Sequence, residues 1–484
     1  MKMHLAALLL TLVLPLTGCG KKSSADSGLT PAMEMSIRAS TATSVTLDLR
    51  WVNASGVRLL CEATDNPAAR TAREVAEQGT LSTGQTAVLD GLSPSTFYTV
   101  FAVACNDKGD FGSLQYVQFT TDSSESLIYD WEQRRNGILS FTDMALCYGG
   151  SAHRTPFRWE KERFAPFVSY VDTQGREHWM FDAFLCIEFV IDNFSLAVGV
   201  SGTSAGRAQW EHLIEYWFDD DNGVNALEQA VEAAAQRLGT PPCKRKVIMV
   251  LPDPIIHKEC IDVSTPTDYW GELNGRKMDF AKAEDRIAVY KWYINEVRKR
   301  FDQADYRYIE LAGFYILSEE LPIPGDGWNP EIKKWEEIIP PMTEYLHGLN
   351  ECVAWIPYFE AAGYNRWRDF GIDYAYMQPN YYWDEEGARP LSRFFTMVKG
   401  NDLGMEFEFE ATILASDPES DKYRTRFREY MAGARDNGIY GTRPLAYYQG
   451  TNAFYDLSVS ENVLDQELYH EFCEFVINNP LRIE

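Results

Sequence analysis

Three glutamates, Glu406, Glu408 and Glu410, stand at every second position of the stretch GMEFEFEATI, with Met405, Phe407 and Phe409 between them. Strand side chains alternate faces, so this spacing puts the carboxyls on one side and the apolar set on the other. A buried, unpaired carboxylate costs on the order of several kcal/mol or shifts its pKa until it is neutral. Folding alone would place Val or Ile there, so function is expected to bear the cost. Glu408 lies nearer the carboxyl end and is the better placed for chemistry. Glu406 sits deeper and is expected to orient Glu408 and to contact substrate, and Glu410 starts the following loop. A second acid comes from GFYILSEE, where Gly313, Tyr315, Leu317 and Glu319 share one face and Glu320 points the other way. One carboxyl kept protonated and one left ionised form the pair that cleaves a glycosidic bond. Glu319 and Glu408 are the candidates for such a pair. The plainer role for Glu319 is a helix cap or an ion pair.

Hydrogen-bonding and aromatic residues accompany these acids. Gln378 and Asn380, in MQPNYYW, suit sugar hydroxyls, with Tyr148, Tyr315, Tyr358, Tyr448 and Gln449 as weaker members of the set. The chain holds 13 Trp and 26 Tyr, and sugar C–H faces stack on such rings. Most of these rings fill a core. Trp270, Trp328 and Trp383 fall in predicted loops and are the candidates for a glycan cleft.

The elements that must position these residues alternate between strand and helix. Eight strands are predicted, within 141–150, 179–190, 246–252, 308–317, 352–359, 372–380, 405–410 and 444–450. Between them run helical stripes such as Leu227, Ala230, Val231, Ala234 and Leu238, and Ile287, Tyr290, Ile294, Val297 and Phe301. Eight such units predict a parallel (β/α)8 barrel of TIM type. Connections entering strands are short and those leaving them, such as 252–283, are long, which places the functional face at the carboxyl ends. Acids ending strands four and seven resemble the pair of many retaining glycoside hydrolase barrels, whose carboxyls stand about 5–5.5 Å apart, and the resemblance implies Glu319 as acid/base and Glu408 as nucleophile. The fourth-strand acid of many such enzymes follows an Asn, whereas Ser318 precedes Glu319 here. Asp143 and Asp182, early in strands one and two, read as buried acids with backbone partners.

Upstream, SVTLDLRWV, VRLLCEAT, QTAVLDGL, TFYTVFAVAC and LQYVQFTT are short alternating runs between turn residues. Leu92-Ser-Pro94-Ser-Thr96-Phe-Tyr98 resembles the tyrosine corner of fibronectin type III domains. The resemblance covers residues 31–121 and implies an all-β sandwich serving as a spacer or binding module. At the N-terminus an apolar run, Leu5 to Leu16, is too short for a standard membrane span and reads as a signal peptide. Leu16-Thr17-Gly18-Cys19 resembles a bacterial lipobox, which implies lipidation of Cys19. The expected layout is a signal peptide over 1–18, a tether over 19–30, the sandwich, a linker over 122–137, and the barrel over 138–484. Eight further cysteines show no CxxC and read as buried thiols, with Cys61 and Cys105 the pair most worth testing as a disulfide.

Charge narrows the partners. Lys and Arg total 45 against 71 Asp and Glu, a net charge of -26, which disfavours nucleic acid and anionic headgroups. Seven His form no HExxH, and no GxSxG elbow occurs. The acidic run Asp219 to Gly223 reads as a helix start rather than a calcium loop. No metal or cofactor is expected.

Seven phrases together resemble an uncharacterised bacterial family, domain-of-unknown-function family 4855, over roughly residues 140–478. They are Met144-Ala-Leu-Cys-Tyr148-Gly-Gly, Phe181-Asp-Ala-Phe-Leu185, Leu311-Ala-Gly-Phe-Tyr315, Trp355-Ile-Pro-Tyr358, Met377-Gln-Pro-Asn380-Tyr381, Glu406-Phe-Glu408-Phe and Tyr447-Tyr-Gln449-Gly. The resemblance implies a glycoside hydrolase-like barrel with no established reaction. The expectation is a monomeric, lipid-anchored cell-envelope protein that hydrolyses glycan with retention. The alternatives are a non-catalytic glycan-binding lipoprotein and an envelope scaffold.

Overall fold

A computed structural model describes residues 30–41, 43–93, 96–121, 141–149, 157–197, 203–254, 267–326, 333–450 and 452–482. The alternating runs at the start form two antiparallel sheets. One pairs Ala32–Ser40, Ser44–Val52 and Thr86–Asp90; the other pairs Thr80–Ser82, Gly56–Glu62, Phe97–Cys105 and Gln115–Thr120. Val45, Leu47, Leu49, Val57, Leu59, Val100 and Ala102 fill the space between them. The tyrosine corner is present: the Tyr98 hydroxyl accepts the Ser93 N–H at 2.9 Å. The periodicity did not reveal a short helix, Ala72–Gln78, held by a capping box between Thr71 and Glu74. Its Val75 packs on Phe101 and Val103, the outward residues of the central strand, so that strand is apolar on both faces.

Cys61 and Cys105 do not pair. In the ladder Cys61 lies opposite Val100 and Cys105 opposite Gly56, which separates them by roughly 16 Å of strand. A disulfide needs Cα atoms within about 7 Å, and both are free thiols.

The second domain is a closed barrel of eight parallel strands in chain order: Asp143–Tyr148, Ala183–Ile187, Arg245–Leu251, Ile309–Ile316, Cys352–Trp355, Tyr374–Met377, Gly404–Glu408 and Leu445–Tyr448. The first and eighth pair to close it. Both faces of every strand are covered, which is why these segments read as long apolar runs. Helices follow seven of the strands. The exception is the fifth, whose connection to the sixth is a series of turns over 356–373. Glu360, Gly363 and Gly371 all take positive φ there, a conformation no helix accommodates.

The barrel's amino end is stitched by polar groups. The Asp182 carboxyl accepts the N–H groups of Thr142 and Asp143, both at 2.8 Å, and the Thr142 hydroxyl at 2.9 Å. Asp143 accepts the Tyr447 hydroxyl at 2.7 Å and lies 3.6 Å from Arg482. These acids join strands one, two and eight; half-buried Asp182 has the expected backbone partners, whereas buried Asp143 is held by side chains.

The sandwich touches the barrel through a closed triangle. The Thr120 and Tyr345 hydroxyls are 3.1 Å apart, Tyr345 donates to Asn295 Oδ1 at 2.8 Å, and Asn295 Nδ2 donates back to Thr120 at 3.3 Å. No helix among the described residues is long and apolar enough to cross a membrane.

Candidate active site

At the carboxyl ends of the barrel strands a cleft of about 310 Å³ is lined by Glu319, Glu406 and Glu408. The alternation in GMEFEFE turns Glu406 and Glu408 toward it, as predicted. Phe407 packs outward on Phe427 and Phe475, and Phe409 outward on Phe427 and Phe472, so both glutamates turn inward. Glu406 is 2 % exposed and Glu408 1 %.

Two amides tie the fourth- and seventh-strand acids together. Gln378 Nε2 donates to Glu319 Oε1 at 2.8 Å. Asn380 Nδ2 donates to Gln378 Oε1 at 3.2 Å and to Glu408 Oε1 at 3.0 Å. The Tyr430 hydroxyl donates to Glu408 Oε2 at 2.8 Å. Asn380 is itself held by its left-handed backbone, φ 50°, and by the Phe359 N–H on its Oδ1 at 2.9 Å. Asn is among the few residues that adopt that conformation readily. Glu406 has no hydrogen bond among the described residues.

The electrostatics follow from burial. Removal from water pushes Glu408 up to about 8; the Tyr430 and Asn380 hydrogen bonds oppose the shift and the charge of Glu319 adds to it. Burial likewise lifts Glu406 well above the carboxylate range, reinforced by Glu408 and then Glu319. Burial also raises the Tyr315 phenol, with Glu319, Glu406 and Asp253 adding to the shift. Three acids crowd one small space, so the pocket resists holding three negative charges at once.

The cleft has an aromatic wall. Tyr148 stacks on Phe189 at 6.0 Å and meets Tyr448 edge-on at 5.6 Å; Trp383 meets Tyr448 at 5.9 Å. With Tyr315 and Gln378, these rings line the same space as the acids.

Other predicted residues lie elsewhere. Trp270 is buried among Trp210, Phe280 and Trp292, inside the layer of helices. Its ring is taken up by apolar helix faces and does not line the cleft. Gln449 is also structural, because a buried amide needs partners: it donates to the Leu146 carbonyl at 3.4 Å and accepts the Phe454 N–H at 3.2 Å. Tyr358 does not line the cleft; its hydroxyl donates to Glu320 Oε2 at 2.8 Å, and Glu320 pairs with Lys333 at 2.5 Å. Cys19 and Trp328 lie outside the described residues.

Four contributors escaped the sequence reading. Tyr430 belongs to the helix Ser420–Asp436, where its spacing is that of an ordinary core stripe. Phe189 is turned by Glu188, whose Oε1 accepts the N–H groups of Phe189 and Val190 at 2.7 and 3.2 Å. Glu188 and Asp253 each follow the last residues of a barrel strand. Acids at strand ends were the available signal for both.

A larger hollow of about 760 Å³ opens at the opposite end of the barrel, beside Tyr374, Gly404 and Pro444. These residues begin or precede strands, and in such barrels chemistry belongs to the other end.

Fold and site together define a TIM-type barrel protein with an acidic, aromatic-walled cleft at its carboxyl face. The chain belongs to the family described as Domain of unknown function (DUF4855), whose sequence model matches residues 143–474. No curated protein matches the chain. Among solved structures it is similar to chitinase ChiA74 from Bacillus thuringiensis, with 16% identity over 18% of this chain and 13% of the chitinase at a TM-score of 0.15. The chain thus spans about an eighth of that chitinase's length. It is also similar to the fn3 domain of human collagen alpha-1(XX) chain, with 17% identity over 21% of this chain and 95% of the domain at a TM-score of 0.16. A computationally redesigned β-sandwich protein matches at 20% identity over 19% of this chain and 90% of its own, with a TM-score of 0.16.

Proposed function

We propose that the protein is a glycoside hydrolase-like enzyme acting on glycan, with Glu319 as acid/base and Glu408 as nucleophile. The observation that carries this reading is the pairing of fourth- and seventh-strand carboxyls through Gln378 and Asn380 in one cleft. Glu319 protonates the glycosidic oxygen while Glu408 attacks the anomeric carbon. The carbon–oxygen bond breaks and the leaving sugar departs as an alcohol. Glu319, now ionised, then takes a proton from water. The resulting oxygen nucleophile attacks the same carbon and frees Glu408, so the configuration is retained. Tyr148, Tyr448 and Trp383 offer rings for the sugar's C–H face.

A second reading, a non-catalytic glycan binder, is favoured by the raised pKa of Glu408, since attack requires the ionised form. A glycan-hydrolysis screen of wild type, Glu319→Gln and Glu408→Gln decides between them. The enzyme reading expects a loss of at least about a hundredfold in either variant. Glycan binding with no turnover in wild type supports the binder. Activity unchanged in both variants rejects the assigned roles.

We further propose that lipid on Cys19 anchors the protein in the cell envelope. Metabolic labelling with a palmitate analogue tests this, and Cys19→Ala is expected to remove the label and release the protein from membranes.

A further inference from the structure

Glu406 is the group that the hydrolytic reading leaves without a task. It is 2 % exposed, lines the floor of the cleft, and has no hydrogen-bond donor among the described residues. A buried acceptor facing an open space is completed by what enters that space. Glu319 and Glu408 stand beside it, and no Lys, Arg or His lines the cleft among the described residues. The wall of Tyr148, Tyr448 and Trp383 presents π faces and edges, which attract cations and disfavour anions.

Resting on the glycan reading above, we propose that the position over Glu406 takes a sugar bearing a free amino group, bound as its ammonium ion. Sugars bearing carboxylate or sulfate are rejected there. An ammonium donates three hydrogen bonds and places one positive charge where three acids compete. Burial first, and the neighbouring acids second, raise Glu406 and Glu408 above the carboxylate range. A bound cation lets them ionise, which also supplies the carboxylate that attack requires. A metal ion is the poorer fit: no three His, Cys, Asp or Glu among the described residues converge as a metal set.

The test is titration calorimetry on the full chain with three tetrasaccharides: glucosamine, N-acetylglucosamine and galacturonate. The glucosamine tetramer is expected to bind at least tenfold more tightly than the acetylated one, and the galacturonate tetramer not measurably. Glu406→Gln is expected to abolish that preference while changing affinity for the acetylated tetramer less than threefold. Equal affinities, preference for the anionic tetramer, or no binding of any of the three would overturn the proposal. Preference that survives Glu406→Gln would also overturn it, because the net charge of -26 draws polycations to the surface. Turnover measured in parallel separates the two readings. Amino-sugar preference without hydrolysis keeps this inference and ends the hydrolytic one; hydrolysis without the preference does the reverse.

Discussion

The two ends of the barrel treat their acids in opposite ways. At the amino end Asp182 accepts three donors and Asp143 is met by Tyr447, Asn479 and Arg482. At the carboxyl end Glu406 has no donor among the described residues, while amides reach Glu319 and Glu408 and a tyrosine reaches Glu408. The amino end has the larger hollow, about 760 Å³ against about 310 Å³. Volume therefore does not distinguish a site from a stitched seam. A buried acid that faces a cleft without a donor, as Glu406 does, is the feature on which the proposed site rests.

Substitutions that remove a charge from each end test this contrast. The largest effect is expected from Glu408→Gln, a fall in turnover between about a hundredfold and ten-thousandfold with folding intact, read by glycan hydrolysis and circular dichroism. Asp182→Ala should cost about 3 kcal/mol of stability, since it strands two backbone N–H groups, with activity per folded molecule unchanged. Urea unfolding measures it, and a loss below about 1 kcal/mol would show that the seam is not structural. Tyr430→Phe removes one donor from Glu408 while keeping the ring. It should lower kcat about tenfold with KM within twofold and raise the pH at which activity appears.

The pH dependence of stability sharpens the same comparison. Glu408 holds its proton in the folded protein up to about 8, whereas an unfolded glutamate releases it near its ordinary 4.5. Its contribution to stability is thus complete at low pH and lost as pH rises between these values. Glu408→Gln cannot ionise, so its melting temperature should exceed that of wild type at pH 8, with the gain vanishing near pH 5. Asp143, held up at about 6 chiefly by burial, gives the same sign over a narrower window ending near pH 6. The smallest effect is expected at the domain contact. Tyr345→Phe deletes two hydroxyl hydrogen bonds of the triangle and should cost about 1 kcal/mol, seen as earlier proteolysis between the domains.

Much of this organisation was legible in the chain. Each barrel strand falls within its predicted segment to within one residue, because burial on both faces leaves long apolar runs between loops. The inward turn of Glu406 and Glu408 was equally readable, since a period of two admits one assignment once Phe407 and Phe409 face the helices. What escaped depends on distance in sequence. Tyr430 reaches Glu408 from a neighbouring helix across 22 positions, and its spacing marks only a core stripe. Trp270 was misplaced because loop membership does not say which way a loop folds. The helix absent after strand five is a local matter, signalled by Gly363 and Gly371 but masked by the regularity of the other units.

The Phe359 N–H has a consequence well beyond its loop. By donating to Asn380 Oδ1 it forces that amide to present both N–H bonds forward, to Gln378 and Glu408. Gln378 must then offer its carbonyl to Asn380 and its nitrogen to Glu319. One backbone amide therefore sets the polarity of the whole relay, so that Glu319 Oε1 meets a donor. On the hydrolytic reading proposed above, the oxygen that meets this donor is the poorer seat for the acidic hydrogen, so the turn after strand five biases the side from which a leaving group is protonated.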